Sequence, residues 1–230
     1  ERIMGSFAVI DTETNWIDQV MSIGVVAADS RTLAPLGAKY YILPLEAEIG
    51  GMYYDALFLE TPVKPTACTR QEAMADLVSW LKDWGIRDIF AYNAAFDRNH
   101  LPELRDLNWY DIMRLAAYKQ YNPKISPYAD CYSTGKLKRN YSVNDMYRLL
   151  TDDMTYHESH NALADAIDEL TIMKCLGYKP DEYEAMDIAG NKKTSSKEKT
   201  TLDKRAHVSP AVAVKPFASN NPCVEKTEYG

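Results

Sequence analysis

The sequence predicts an α/β fold in which a mixed sheet of five strands is flanked by helices. Three strand-like segments open the chain, and later strands alternate with helical segments, which is the order expected for such a sheet. The first three strands follow one another directly and therefore predict an antiparallel meander, to which parallel strands are added. They cover residues 6–11, 20–28 and 38–43.

The second of these segments, VMSIGVVAA, is apolar on both faces. We therefore expect it to lie near the centre of the sheet. The third segment ends at Pro44. Residues 44–67 contain Gly50, Gly51 and three prolines, a composition that predicts an irregular excursion with one helical turn.

Two capping boxes predict helix starts. The pattern T-x-x-E at residues 69–72 predicts a helix that ends at Gly85, with apolar residues at helical spacing between them. The pattern S-x-x-D at residues 142–145 predicts a shorter helix that runs to Leu150.

The remaining elements follow from apolar runs. Residues 88–92 (DIFAY) predict a buried strand, and residues 109–112 predict a short strand followed by a helix through Gln120. The last helix is predicted to begin at Ser159 and to end at Gly177, which serves as its C-cap.

Beyond about Asp187 the apolar period ends, and Lys, Ser, Thr, Pro and Asn dominate. We therefore divide the chain into a folded domain, residues 1–186, and a mobile, basic, low-complexity tail, residues 187–230. Residues 191–230 carry eight Lys and Arg against four Asp and Glu. The tail could join the domain to a protein partner or a further domain, or tether it to nucleic acid.

Composition excludes some classes of protein. No apolar run is long enough for a membrane span, so we expect no membrane association. The four cysteines are scattered without a C-x-x-C pair, which argues against a zinc site and predicts a cytoplasmic protein. The net charge of −7 disfavours broad adhesion to nucleic acid, but it allows an enzyme that reaches a few phosphates through metal ions.

Two carboxylates follow the first apolar strand. Asp11 and Glu13 are two residues apart, so on an extended backbone their side chains point to the same face. A divalent cation would relieve the repulsion between them. A lone D-x-E is more often a pair of acidic residues in a solvated turn than a metal site. Other motifs in the sequence are therefore needed to choose between these two interpretations.

Further titratable residues lie at element junctions. Asp97 follows the strand DIFAY, and Asp165 lies in a run of small residues that lets its helix pack closely against a sheet. His160 stands at the start of that helix. Taken alone, His160 would more often be a capping or surface imidazole.

Three motifs combine these residues: D-T-E-T at residues 11–14, N-A-A-F-D at residues 93–97 and H-N-A-L-A-D-A at residues 160–166. In order and spacing they resemble the exonuclease motifs of the DEDDh 3′–5′ exonucleases, which belong to the ribonuclease-H-like superfamily. The resemblance covers residues 6–177 and is far more specific than one motif. A sister group has Tyr where this chain has Asn161, so that variant is disfavoured.

The resemblance implies a metal-dependent 3′–5′ exonuclease domain that releases nucleoside 5′-monophosphates. It also implies two Mg²⁺ or Mn²⁺ ions, with Asp11 bridging them. Glu13 and Asp165 would complete one site, Asp97 would support the other, and His160 would take the proton from the attacking water. The implied substrate is the 3′ end of single-stranded or frayed DNA or RNA.

The same resemblance implies that five residues bind substrate: Thr14, Trp16, Ile17, Asn93 and Phe96. The positions of Trp16 and Ile17 border the terminal nucleotide in relatives. The family commonly continues D-x-E-T with a Thr-Gly-Leu-like turn, whereas this chain has Asn15-Trp16-Ile17. Substrate preference is therefore harder to transfer than chemistry. An aromatic residue can stack on a terminal base, but Trp16 could equally be a turn residue tucked onto the surface.

The basic segment at residues 136–141 lies between the second and third motifs. We expect Lys138 and Arg139 to contact substrate phosphates, with an ordinary solvated loop as the alternative. Two other functions remain open for the whole chain. One is a catalytically idle module that binds nucleic acid or a partner, and the other is an acidic structural domain whose carboxylates face solvent.

Overall fold

The computed structural model describes residues 5–184. A mixed sheet forms their centre, and its strands are β1 (Ser6–Thr14), β2 (Val20–Asp29), β3 (Pro35–Ile42), β4 (Thr66–Ala67), β5 (Asp88–Ala91) and β6 (Asn108–Asp111). Their order across the sheet is β4-β3-β2-β1-β5-β6. The first three strands are antiparallel, whereas β5 runs parallel to β1 and β6 runs parallel to β5.

This arrangement confirms the predicted α/β, ribonuclease-H-like architecture. The sheet has six strands where five were expected, because β4 pairs in parallel with β3 over only two residues. A strand of two residues is too short to be predicted from a periodic pattern of apolar residues. The rest of the excursion at residues 44–67 holds one turn of helix and a 3₁₀ turn at Tyr54–Phe58.

The helices are α1 (Pro44–Ala47), α2 (Arg70–Asp83), α3 (Ala95–His100), α4 (Met113–Ala116), α5 (Val143–Thr151) and α6 (Ala162–Leu176). Successive residues of β1 pack on opposite faces of the sheet, in different parts of the core. Phe7 and Val9 pack with α4, α5 and α6, whereas Ala8 and Ile10 pack with α2 on the other face. The strand that carries the acidic pair is therefore buried on both faces.

The structure corrects two helix boundaries. Both capping boxes form as predicted, but α4 ends at Ala116 and does not reach Gln120. The last helix begins at Ala162, three residues after Ser159, because His160 adopts a left-handed φ of 55°. Asn161 caps the helix with its side-chain oxygen.

No helix in residues 5–184 is long and apolar enough to cross a membrane. The predicted tail, residues 187–230, and the partner or tether predicted for it lie outside the described residues.

Candidate active site

The acidic pair lies in the second half of β1. Asp11 is paired with Gly24 of β2, and Glu13 is paired with Ser22. The Oδ2 atom of Asp11 is buried and has no hydrogen-bond partner within residues 5–184. A buried carboxylate oxygen without a donor is costly, unless a cation satisfies it.

Asp97 reaches β1 from the first turn of α3. The chain leaves β5 through Asn93, whose φ is 61° and whose backbone N–H donates to Asp111 Oδ1 over 2.9 Å. This turn points the start of α3 back towards β1. There the Thr12 hydroxyl donates to Asp97 Oδ1 over 2.8 Å, so that Asp97 is fixed beside the acidic pair.

Asp165 reaches the same place from α6. The start of this helix packs directly on β2, because a Cβ built on Gly24 would lie 2.2 Å from the carbonyl carbon of Ala162. Only glycine allows that approach. The Ser159 hydroxyl donates to Asp165 Oδ1 over 3.2 Å and limits the rotation of the carboxylate.

His160 lies beside Asp165 and Glu13. The possible ligand atoms of these three residues all lie within 4.8 Å of one another. The distance from His160 Nδ1 to Glu13 Oε1 is 3.9 Å. The structure therefore brings together all five residues that the motifs predicted, since Asp11 is two residues before Glu13 on β1 and Asp97 accepts a hydrogen bond from Thr12 between them.

The electrostatics reflect this crowding. Burial, together with the nearby carboxylates, raises the pKa of Asp11 well above its ordinary value. Burial is also the largest cause for the other three carboxyls, raising the pKa of Glu13 to about 9, that of Asp165 to about 8 and that of Asp97 to about 7. Burial lowers the pKa of His160 and favours a neutral imidazole.

A hard divalent cation fits these residues. The donors are carboxylate oxygens, which Mg²⁺ and Mn²⁺ prefer, and Asp11 Oδ2 lacks a partner among the described atoms. Four carboxylates would hold the metal: Asp11, Glu13, Asp97 and Asp165. Positive charge there would lower the raised pKa values of these groups.

Two further carboxylates at the site were not predicted from the sequence. Glu169 is buried on α6, and its Oε2 accepts the backbone N–H of Tyr92 over 3.0 Å. Glu158 raises the pKa of Glu13 and of Asp165. The helical spacing i, i+4 from Asp165 could have indicated Glu169, whereas Glu158 lies in an irregular loop without such a signal.

The predicted nucleotide-binding residues lie on three segments that adjoin the strand and helix of the acidic group, namely the end of β1, the turn after it and the start of α3. Trp16 and Ile17 are exposed in the turn after Thr14, the last residue of β1. Phe96 packs against the His100 ring, whose Nε2 lies 3.0 Å from Asp18 Oδ1. Phe96 is therefore joined to the turn that carries Trp16 and Ile17. Asn93 takes part through its backbone, as described above.

The predicted phosphate-binding residues make contacts outside the acidic group. Lys138 Nζ is 2.8 Å from Asp130 Oδ1. Arg139 lines a cavity of about 640 Å³ together with Arg148. Nothing in residues 5–184 joins Lys138 or Arg139 to the acidic group by a hydrogen bond or ion pair. The segment approaches the site at Tyr141, whose carbonyl accepts the Tyr92 hydroxyl.

No protein-family model matches the chain, and no curated protein matches its sequence. Several solved structures have a similar fold. The nuclease domain of 3′hExo, a DEDDh family member bound to rAMP, is 12% identical with a TM-score of 0.52, over 81% of this chain and 98% of that domain. A 3′-exonuclease that recognises a histone mRNA stem-loop is 12% identical with a TM-score of 0.51, over 80% of this chain and 86% of that protein.

Exonuclease I is 14% identical with a TM-score of 0.51. The match covers 76% of this chain but only 41% of exonuclease I, so the chain spans about two-fifths of that protein. At these identities the likeness concerns the fold. The chain has the fold of the DEDDh 3′-exonucleases, as its three motifs predicted.

Proposed function

We propose that the chain is a metal-dependent 3′–5′ exonuclease that acts on single-stranded or frayed nucleic acid and releases nucleoside 5′-monophosphates. One observation carries the proposal: Asp11, Glu13, Asp97, His160 and Asp165 come from β1, α3, α6 and the loop before α6, and they meet beside the second half of β1. The solved structures with this fold and a TM-score above 0.5 include 3′-exonucleases, which supports the same kind of chemistry.

In this proposal four carboxylates, Asp11, Glu13, Asp97 and Asp165, hold two Mg²⁺ or Mn²⁺ ions. When bound, the ions supply the positive charge that stabilises the attacking and leaving oxygens of a phosphodiester. The buried Oδ2 of Asp11 is the atom that needs such charge most, because no donor in residues 5–184 reaches it.

His160 is the proposed general base. Its lowered pKa keeps the imidazole neutral, so it can accept a proton from the attacking water. Once Glu13 is ionised, its Oε1, which lies 3.9 Å from His160 Nδ1, favours the imidazolium that forms. The proposed proton acceptor thus lies beside a carboxylate that would hold the metal.

The substrate is proposed to enter as an unpaired 3′ end. Trp16 and Ile17 are 65% and 61% exposed, and exposed aromatic and apolar side chains of this kind can pack on the bases of a single strand. Thr14, Asn93 and Phe96 are proposed to bind substrate together with these two residues, and Lys138 and Arg139 are proposed to contact substrate phosphates.

The sequence predicted reduced cysteines and hence a cytoplasmic location. Cys68 and Cys131 are free thiols, but Cys175 is disulfide-bonded, so the cysteines no longer support that prediction.

The alternative is a catalytically idle module that binds nucleic acid or a partner. The presence of all five side chains in one place argues against it, because an idle site has no need to bury a carboxylate oxygen without a partner. The chemistry itself needs a direct test.

The test is digestion of single-stranded DNA and RNA oligonucleotides labelled at the 5′ end, with Mg²⁺, with Mn²⁺ or with EDTA. We expect a ladder that shortens from the 3′ end only when the metal is present. Asp11→Ala should abolish it, whereas Asp83→Ala, which removes an exposed carboxylate of α2, should not. Binding without digestion by the unaltered chain would favour the idle module.

A further inference from the structure

A tyrosine from the excursion covers the proposed general base. The rings of Tyr53 and His160 are stacked, with centroids 3.6 Å apart and planes inclined by 13°. The two residues are separated by more than a hundred positions in sequence. Neither the motifs nor the fold of the sheet requires an aromatic residue at this place.

The backbone around Tyr53 is fixed to the backbone around His160. Asn161 Nδ2 donates to the carbonyl of Ala56 over 2.8 Å. The Tyr40 hydroxyl, which accepts from Asn161 Nδ2 over 2.9 Å, donates to the Leu57 carbonyl over 2.9 Å. The 3₁₀ turn that follows Tyr53 is therefore anchored to the residue next to His160.

His160 needs such support. Its φ of 55° is unusual for a residue other than glycine, and a strained backbone of this kind persists only where the surrounding structure holds it. His160 lies before Ala162, the first residue of α6, and is therefore not held within a helix. The stack restricts rotation of the imidazole about its Cβ–Cγ bond, since a rotated ring would lose contact with Tyr53.

Tyr53 also lies close to the acidic group. Its ring stacks on His160, whose Nδ1 lies 3.9 Å from Glu13 Oε1. The pKa of the Tyr53 phenol is raised by burial first and then by Glu13, Glu158 and Asp165. The phenol therefore stays neutral, and it adds no charge to a site that already has an excess of negative charge.

We infer that Tyr53 is a positioning residue, which holds the His160 imidazole facing the acidic group through the ring stack. This inference rests on the proposed function, because it assigns Tyr53 a role only through His160. Tyr53 itself forms and breaks no bond. The stacking face is what matters, so phenylalanine should replace tyrosine and an aliphatic side chain should not.

Three variants test the inference. Tyr53→Leu should lower kcat about tenfold, with KM changed less than about twofold, because the base is misplaced while substrate contacts persist. Tyr53→Phe should retain kcat within about twofold, because it keeps the ring. Tyr54→Leu alters the neighbouring residue, whose ring contacts Phe58, and should leave both constants unchanged.

A spectroscopic readout separates positioning from loss of structure. In metal-free protein, the ring protons of His160 should be shifted upfield by the Tyr53 ring, and the shift should persist in Tyr53→Phe and vanish in Tyr53→Leu. The melting temperatures of all three variants should be measured in parallel. Unchanged kcat in Tyr53→Leu, or an unshifted His160 in the parent protein, would overturn the inference.

The two proposals fail differently. If the parent chain digests no oligonucleotide, the proposed function fails, and the chemical shift of His160 still reports whether the stack exists. If the parent chain is active and His160→Ala is inactive while Tyr53→Leu is fully active, only the role of Tyr53 is refuted.

Discussion

Gly24 of β2 lies directly beneath the backbone of Ala162, at the start of α6. A Cβ on Gly24 would lie 2.2 Å from the carbonyl carbon and oxygen of Ala162 and from the amide nitrogen of Leu163. Gly24 is also paired with Asp11 across the sheet. One glycine therefore sets the distance between the strand and the helix that supply carboxylates to the same site.

Gly24→Ala should push α6 away from the sheet. We expect a loss of about 1–3 kcal/mol in the free energy of unfolding, because the helix backbone must move to admit the methyl group. Activity should fall about a hundredfold or more, since Asp165 and His160 move with the helix. Urea unfolding and oligonucleotide digestion measure the two effects.

Gly37→Ala is the matched control. A Cβ there would meet Trp80 at 3.5 Å, which is an ordinary contact, and the residue lies in the same sheet. Its stability and activity should match those of the parent chain. If Gly24→Ala behaved like Gly37→Ala, the close approach of α6 would not matter for the site.

The metal-free protein should become less stable as the pH rises. The folded-state pKa values of Glu13, Asp165 and Asp97 are about 9, 8 and 7, above the ordinary values of 4.5, 3.8 and 3.8. The folded protein thus holds protons that the unfolded chain releases. The stabilising contribution of these three carboxyls is fully present below about pH 4 and is lost as the pH rises through about 7 to 9.

Thermal melts in EDTA across this range measure the effect. Glu13→Gln should flatten the dependence of the melting temperature on pH, because it removes the carboxyl whose pKa is about 9. Millimolar Mg²⁺ or Mn²⁺ should restore the melting temperature most at high pH, where the carboxylates are free to bind it. A melting temperature in EDTA that stays level between pH 6 and 9 would contradict the crowded acidic site.

Asn161→Ala should damage both the fold and the site. The buried Asn161 side chain donates to Tyr40 and Ala56 and accepts the backbone N–H groups of Leu163 and Ala164. Removing it should cost about 2–4 kcal/mol, because the cap is lost and buried polar groups lose their partners.

Chemical unfolding of Asn161→Ala and of Asn108→Ala would measure that difference. Asn108 is exposed, and its side chain donates to Asp88 Oδ1 over 2.8 Å, so its removal should cost less than about 1 kcal/mol. Equal costs for the two variants would show that the anchor at Asn161 is not important.

The two basic residues should differ in their effect on substrate binding. Lys138 is paired with Asp130 and therefore offers less free positive charge than Arg139, which lines the neighbouring cavity. Arg139→Gln should raise KM severalfold. It should also lower the slope of log KM against log salt concentration by up to about one, which is the change expected for the loss of one phosphate contact. Lys138→Gln should have a smaller effect on both.

Steady-state digestion at several KCl concentrations makes this comparison, with Lys82→Gln on α2 as a distant control. If neither Arg139→Gln nor Lys138→Gln alters KM or its salt dependence, the basic segment lies outside the substrate path.

Local signals made much of the fold predictable. The capping boxes at residues 69–72 and 142–145 are complete within one helical turn, and both form as expected. The start of α6 was misplaced because His160 takes a left-handed conformation, which a helical pattern does not reveal. The two-residue strand β4 is held by its neighbour β3 alone and has no pattern of its own.

The site was predictable where a motif supplied the residues. The positions of Asp11, Asp97 and Asp165 follow from strand and helix ends, which bring distant parts of the chain together. Tyr53 was not predictable, because its contact with His160 depends on the path of an irregular excursion. Long-range contacts of this kind arise from packing and leave no periodic trace in sequence.

The strand β1 lies between β2 and β5, whereas His160 stands in a loop. Amide hydrogens of β1 should therefore exchange with solvent only when the whole domain opens, and those of the loop at residues 152–160 should exchange through smaller fluctuations. On warming, the proton acceptor would lose its geometry while the carboxylates on β1 were still in place. Inactivation would then precede the main calorimetric transition, and it would be reversible as long as the sheet survived.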